Sequence, residues 1–233
     1  MSGPPSATAF SDTALLDREV RLKVYEQFVQ HGYPPSAAEL AATLDVTADD
    51  VLASWARLAE GRALLLGANG DRVQVAPPFS AVPTPFWVRT PRGSWWGNCA
   101  WESLGIPALL ETDAVITTTS GATGEPLEVV VEGGEARPAD APVHVAVPVK
   151  HWWDDVRFTC GTLLLFHSDG EVDAWCQGRG IPRGAVITVG QCWQLAKRWF
   201  TGRFEPEWRR LTPEEARESF AEAGLKGKFW ELG

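Results

Sequence analysis

Cysteine is scarce in this 233-residue chain: four residues, Cys99, Cys160, Cys176 and Cys192, with no Cys-x-x-Cys pair among them. That scarcity excludes a disulfide-dense secreted scaffold and the usual zinc-ribbon spacing. The four histidines, His31, His144, His151 and His167, show no ligand spacing with one another, so no standard zinc site can be assembled. Long apolar runs are also missing. Stretches such as Leu163–Phe166 fall far short of the roughly 20 residues that span a bilayer. The opening MSGPPSATAFSDT has neither the basic nor the apolar region of a secretory signal, and both absences lead to the expectation of a cytoplasmic protein. Basic charge is outweighed, 21 Lys+Arg against 30 Asp+Glu, for a formal net charge of -9. Such a balance argues against nonspecific attraction to nucleic acid or an anionic membrane. Gly121-Ala-Thr-Gly124 lacks the Lys and the length of a phosphate-binding loop, and no Gly-x-Ser-x-Gly elbow occurs.

What is present is a chain with 45% hydrophobic residues, long enough to bury a core without staples. Tryptophan is abundant, with 12 residues, and Trp87, Trp95, Trp96, Trp101, Trp152, Trp153, Trp175 and Trp193 all lie near cysteines in sequence. They serve either as core filling or as an aromatic wall around a dry pocket.

Residues 1–11 are small and polar and are expected to be disordered. Leu15, Leu16, Val20, Val24, Phe28 and Val29 then recur with a helical period over residues 12–30. Ser36-Ala-Ala-Glu39 and Thr47-Ala-Asp-Asp50 are capping-box starts for two further helices, and Asn69-Gly70 between apolar runs predicts a hairpin. Three helices and a hairpin describe a winged-helix-like domain over residues 12–76. Its would-be recognition helix carries Asp49 and Asp50, with Arg57 its one basic residue, which makes a structural or lid role the better reading than DNA contact.

Pro77, Pro78, Pro83 and Pro85 mark residues 77–85 as a linker. Over residues 86–233 the pattern is mixed, giving an α+β chain. Phe86–Arg89, Ala114–Thr119, Leu127–Glu132, Val143–Pro148, Thr159–Phe166, Val172–Trp175 and Ala185–Val189 read as strands from their β-branched content. Asn98–Leu110, Gln191–Phe200 and Pro213–Ala223 read as helices, the last with Thr212 as cap and Pro213 in its first turn.

The chemistry-bearing segment is Trp95-Trp-Gly-Asn-Cys99-Ala-Trp-Glu102. On a helix, a thiol and a carboxyl three residues apart share one face. A buried thiol beside an unrelated glutamate would look the same. Three longer segments add specificity: Trp96–Leu110 (WGNCAWESLGIPALL), Thr117–Pro126 (TTTSGATGEP) and Asp155–Ser168 (DVRFTCGTLLLFHS). In order, spacing and flanking residues, positions 86–232 resemble the alkylmercury (organomercurial) lyase family, in which a winged-helix-like module also precedes the catalytic domain. The tail Pro206–Leu232, with Trp208-Arg-Arg and Phe229-Trp-Glu-Leu232, looks like a form common among other members rather than the mercury-resistance prototype.

The resemblance places Cys99 and Cys160 at the family's two catalytic cysteines and Glu102 where the prototype has its catalytic aspartate. It departs from the prototype in that substitution, in Ser120 where a further non-catalytic cysteine stands, and in Asn98 where a tryptophan stands. It implies a lyase in which two thiolates capture the mercury of a small organomercurial while the carboxyl group delivers a proton to carbon. Hg(II) then stays on Cys99 and Cys160 as product until cellular thiols or a mercury reductase accept it. No dissociable cofactor, nucleic acid or membrane partner is implied. Cys176 and Cys192 fall outside the matched positions and are expected to be core thiols. Two other readings stay open: recruitment of Cys99 and Glu102 to a different lyase or rearrangement, and a nonenzymatic, thiol-based, metal-responsive DNA-binding regulator.

Overall fold

The computed structural model describes residues 13–232; the segment expected to be disordered, 1–11, lies outside them. The chain divides into two compact units. One runs through Ala76 and takes in Phe204–Glu207; the other comprises Pro77–Arg203 and the residues from Trp208 onward.

The first unit holds α1 (Thr13–His31), α2 (Ala37–Leu44), α3 (Ala48–Glu60) and a hairpin of β1 (Leu65–Leu66) and β2 (Val73–Ala76). Both capping boxes form: the Ser36 and Thr47 hydroxyls accept the Glu39 and Asp50 amides, and each carboxylate bonds back to the cap. Such caps satisfy helix-start amides that have no partner within the helix. Val20, Val24, Phe28, Val51 and Trp55 are fully buried and form the core of this unit. Arg57 spends its guanidinium on Asp17, at 2.9 and 2.7 Å. Gly70 takes the left-handed conformation at the hairpin turn, where a side chain would be strained.

In the second unit an antiparallel sheet has the strand order β3-β5-β4-β6-β7-β8. These strands are β3 (Phe79–Ser80), β4 (Phe86–Thr90), β5 (Gly93–Gly97), β6 (Ala114–Thr119), β7 (Pro126–Glu132) and β8 (Glu135–Arg137). A separate pair joins β9 (Pro142–Val145) to β10 (Ala185–Thr188). The helices are α4 (Ala100–Leu110), α5 (Val156–Thr162), α6 (Asp169–Arg179), α7 (Val189–Phe200) and α8 (Pro213–Glu222). Among the described residues, no helix is long and apolar enough to cross a membrane.

Several strand expectations are corrected. Thr159–Phe166 begins inside helix α5, and Val172–Trp175 lies inside helix α6. Their β-branched content was outweighed by local caps: the Asp155 carboxylate accepts the Phe158 amide at 2.9 Å, and the Ser168 hydroxyl accepts the Glu171 amide at 3.3 Å. The Thr159 and Thr162 hydroxyls turn back onto the carbonyls of Asp155 and Phe158 within α5. The strand expected over Val143–Pro148 ends at Val145. Phe79 and Ser80, in the stretch read as linker, form the buried strand β3, and the sheet gains β5 and β8 besides.

Candidate active site

Helix α4 sets the first two groups. All of its eleven residues are buried, as expected for a helix apolar on every side, and Glu102 and Ser103 are its polar members. It starts directly from β5, with Cys99 as the N-cap in extended conformation. Two glycines allow this close seating. A Cβ on Gly97 would lie 2.6 Å from Ser103 Cα, and one on Gly105 would lie 2.5 Å from the Phe200 ring of α7. A larger residue at either place would push α4 off the sheet or off α7.

Cys160 arrives from a remote stretch. The end of α5 is tied to the start of α4 by the Ala100 amide bonding to Leu163 O at 3.1 Å. The chain then runs along β9, where the His144 amide bonds Leu164 O, the Phe166 amide bonds Pro142 O, and Leu165 bridges Val143. These backbone bonds fix the last turn of α5 over the α4 N-terminus.

The three groups anticipated from sequence therefore converge. Cys99 Sγ lies 3.2 Å and Cys160 Sγ 3.7 Å from the same oxygen, Glu102 Oε2. The three ligand atoms all lie within 4.8 Å of one another, and among the described residues no other His, Cys, Asp or Glu side chains gather in this way. Cys99 and Glu102 are 2% and 7% exposed, whereas Cys160 is half-buried, with Phe158 of the same helix 43% exposed. Of the three groups, Cys160 on α5 is the one that solvent reaches.

Burial dominates the electrostatics. It pushes the Cys99 thiol well above its ordinary range, helped by the neighbouring Cys160 thiol and the Glu102 charge. It also raises the Glu102 carboxyl, against hydrogen bonds from Asn98, Cys99 and Cys160 and the positive charge of Arg203. A carboxyl group so placed takes up and gives back a proton more readily near neutral pH than an exposed glutamate would.

Two contributors to this site were missed as such in the sequence. Asn98, noted there only for standing in place of a tryptophan, donates from Nδ2 to Glu102 Oε2 at 2.7 Å. Its position four residues before Glu102 was the available signal. Arg203, buried and far along the chain, had none. The two remaining cysteines sit elsewhere. Cys192 is 1% exposed on α7 and burial raises its thiol strongly; Cys176 packs with Phe166, Val172 and Trp175, 3.5 Å from His144 Nε2. Ser120 donates to Glu171 at 2.6 Å. Trp101, beside Glu102 in sequence, meets Trp152, Trp199 and Phe200 edge-on at 5.3, 5.1 and 5.6 Å.

Comparison with known proteins agrees with this architecture. No curated protein matches the chain significantly in sequence. A solved structure described as the mercury-bound form of MerB2 has the same fold, with a TM-score of 0.58, 20% identity, and coverage of 78% of this chain and 94% of that one. The family model for alkylmercury lyase, MerB, matches residues 79–201, a stretch that includes Cys99, Glu102 and Cys160. With more than half of its length under that match, the chain belongs to the alkylmercury lyase family.

Proposed function

We propose that the protein cleaves carbon–mercury bonds by protonolysis, with Cys99, Cys160 and Glu102 as the catalytic residues. The observation that carries this reading is the sharing of one carboxylate oxygen by two thiols, one capping α4 and one on α5, at 3.2 and 3.7 Å. Mercury prefers thiolate to oxygen or nitrogen, so a two-thiol site with an adjacent acid suits it.

An organomercurial enters as its thiolate, R–Hg–SR′. Cys160, the more exposed thiol, attacks mercury first, and its proton leaves with the departing R′S⁻ as R′SH. Cys99 then bonds to mercury while its proton passes to Glu102. Two sulfur donors raise the electron density on the metal-bound carbon, and Glu102 delivers the proton to it. R–H departs and Hg(II) is left bridging Cys99 and Cys160. Two thiol protons enter the sequence; one leaves on R′SH and one on R–H. Asn98 holds the carboxyl in reach of both sulfurs, which suits a step that depends on positioning. Release of Hg(II) follows by exchange with cellular thiols or a mercury reductase approaching Cys160. The sequence of steps needs no dissociable organic cofactor.

The test is incubation with methylmercury or phenylmercury and excess thiol, reading methane or benzene in the headspace. Hydrocarbon in excess of enzyme is expected. Mercury held by two thiols with no hydrocarbon would instead favour recruitment of Cys99 and Glu102 to another lyase or rearrangement.

A further inference from the structure

The last carbonyls of a helix have no partner within it, so the chain leaving α5 must find donors elsewhere. The Ala100 amide reaches Leu163 O at 3.1 Å, and the amides of His144 and Gly121 reach Leu164 O and Leu165 O, each at 3.0 Å. These three donors are backbone groups, which any residue but proline would supply. The Thr162 carbonyl, two residues beyond Cys160, is met instead by a side chain, His144 Nδ1 at 3.1 Å. His144 thus grips the chain on both sides of Leu163, the residue whose carbonyl ties α5 to the start of α4.

Water does not reach this ring. His144 is fully buried, Thr162 is buried, and Phe166 and Trp175 meet the imidazole edge-on, with centroids 6.2 and 5.3 Å away. A carbonyl that loses its donor in such a place is left unsatisfied, and the chain shifts to find another. The second ring nitrogen, Nε2, lies 2.8 Å from Arg183 O and 3.5 Å from Cys176 Sγ. Both carbonyls can only accept, and a neutral ring has one N–H to share between them. The Cys176 thiol can donate to a bare Nε2, which leaves the ring proton on Nδ1 for Thr162.

We propose that His144 is a positioning residue of the two-thiol centre: through Thr162 O it sets the last turn of α5 so that Cys160 and Cys99 close on one metal together. The choice of mercury as that metal rests on the protonolysis reading. Cys99 needs no such help, because it caps α4 directly after β5. Cys160 owes its place, 3.7 Å from Glu102 Oε2, to contacts between distant stretches of chain. An error of about 1 Å there costs on the order of a hundredfold in a step that depends on alignment.

Two conservative variants test it. The amide nitrogen of Asn stands as many bonds from Cα as Nδ1, and that of Gln as many as Nε2. His144→Asn therefore keeps a donor for Thr162 O, whereas His144→Gln keeps one for Arg183 O. The Hg(II) affinity of the full chain is measured by competition with dithiothreitol, beside benzene release from phenylmercury. His144→Asn is expected to bind Hg(II) within about threefold of the unmodified protein and His144→Gln about tenfold or more weakly, with benzene release in the same order. In a Cys160→Ser background neither substitution should change Hg(II) binding, because a single thiol has nothing to align. Equal weakening by both variants, weakening that persists without Cys160, or unchanged binding by His144→Gln overturns the proposal. Histidine-ring NMR on the unmodified, isotope-labelled protein adds a check that no misfolded variant can spoil. A slowly exchanging proton on Nδ1 of the buried ring is expected, and one on Nε2 alone also overturns the proposal. Absence of benzene from every form, with the expected order of Hg(II) affinities, refutes the protonolysis reading and leaves the role of His144 standing.

Discussion

Replacing Glu102 with Gln separates metal capture from proton delivery. The amide keeps the shape of the side chain and can still present an oxygen to Asn98 Nδ2, now 2.7 Å from Glu102 Oε2. What it loses is the ability to accept the Cys99 proton across 3.2 Å and hand it on. General acid–base catalysis by one positioned group contributes typically ~10²–10⁴-fold. The upper part of that range is expected here, because in the proposed mechanism one carboxyl serves both the thiol deprotonation and the protonation of carbon. The loss corresponds to roughly 4–5 kcal/mol of barrier at about 1.4 kcal/mol per tenfold. The assay is single-turnover release of benzene from phenylmercury, measured beside the mercury retained per protein after gel filtration. The expected result is near-stoichiometric retention with hydrocarbon release slowed by about three orders of magnitude or more. Benzene release near the unmodified rate would show that another group carries the proton, and the assignment of Glu102 would fall. The shorter Glu102→Asp, which keeps a carboxyl group, is expected to retain release above the Gln variant.

The other expectations follow from burial and packing. Cys99→Ser and Cys160→Ser should each abolish hydrocarbon release, while Cys176→Ala and Cys192→Ala retain most of it; equal losses in all four would mean the thiols are wrongly sorted. Burial raises the Glu102 carboxyl in the folded state above its ordinary 4.5. Its contribution to stability is therefore full below that value and is lost as pH rises through the raised one, because the folded state must then carry a buried charge. Glu102→Gln should accordingly resist urea better than the unmodified protein at neutral and alkaline pH, with the gap closing in acid; a gap that widens in acid would reverse the sign of the argument. Gly97→Ala should cost about 1–3 kcal/mol in urea unfolding, since its methyl meets α4 backbone rather than a flexible side chain, and should slow catalysis by displacing Cys99.

Sequence alone determined what is local. Ser36, Thr47 and Thr212 announce helix starts because a cap needs only its own hydroxyl and the amides within the next turn, and all three form as read. The Cys99–Glu102 pair is equally local, since the N-cap residue and the third residue of a helix lie within its first turn. The segment around Cys160 was misjudged because Val, Thr, Leu and Phe satisfy a strand as readily as a buried helix, although Ser168-Asp-Gly-Glu171 carried a cap signal for the helix that follows. Tertiary structure decided the rest: that Leu163 O reaches the Ala100 amide, that Cys160 thereby lands 3.7 Å from Glu102, and that Arg203 comes to bear on the same carboxyl. Such contacts join residues 58 or more positions apart, and no local propensity encodes them. They exist because the whole sheet and its helices bury their apolar faces together, and that packing places the polar groups they carry.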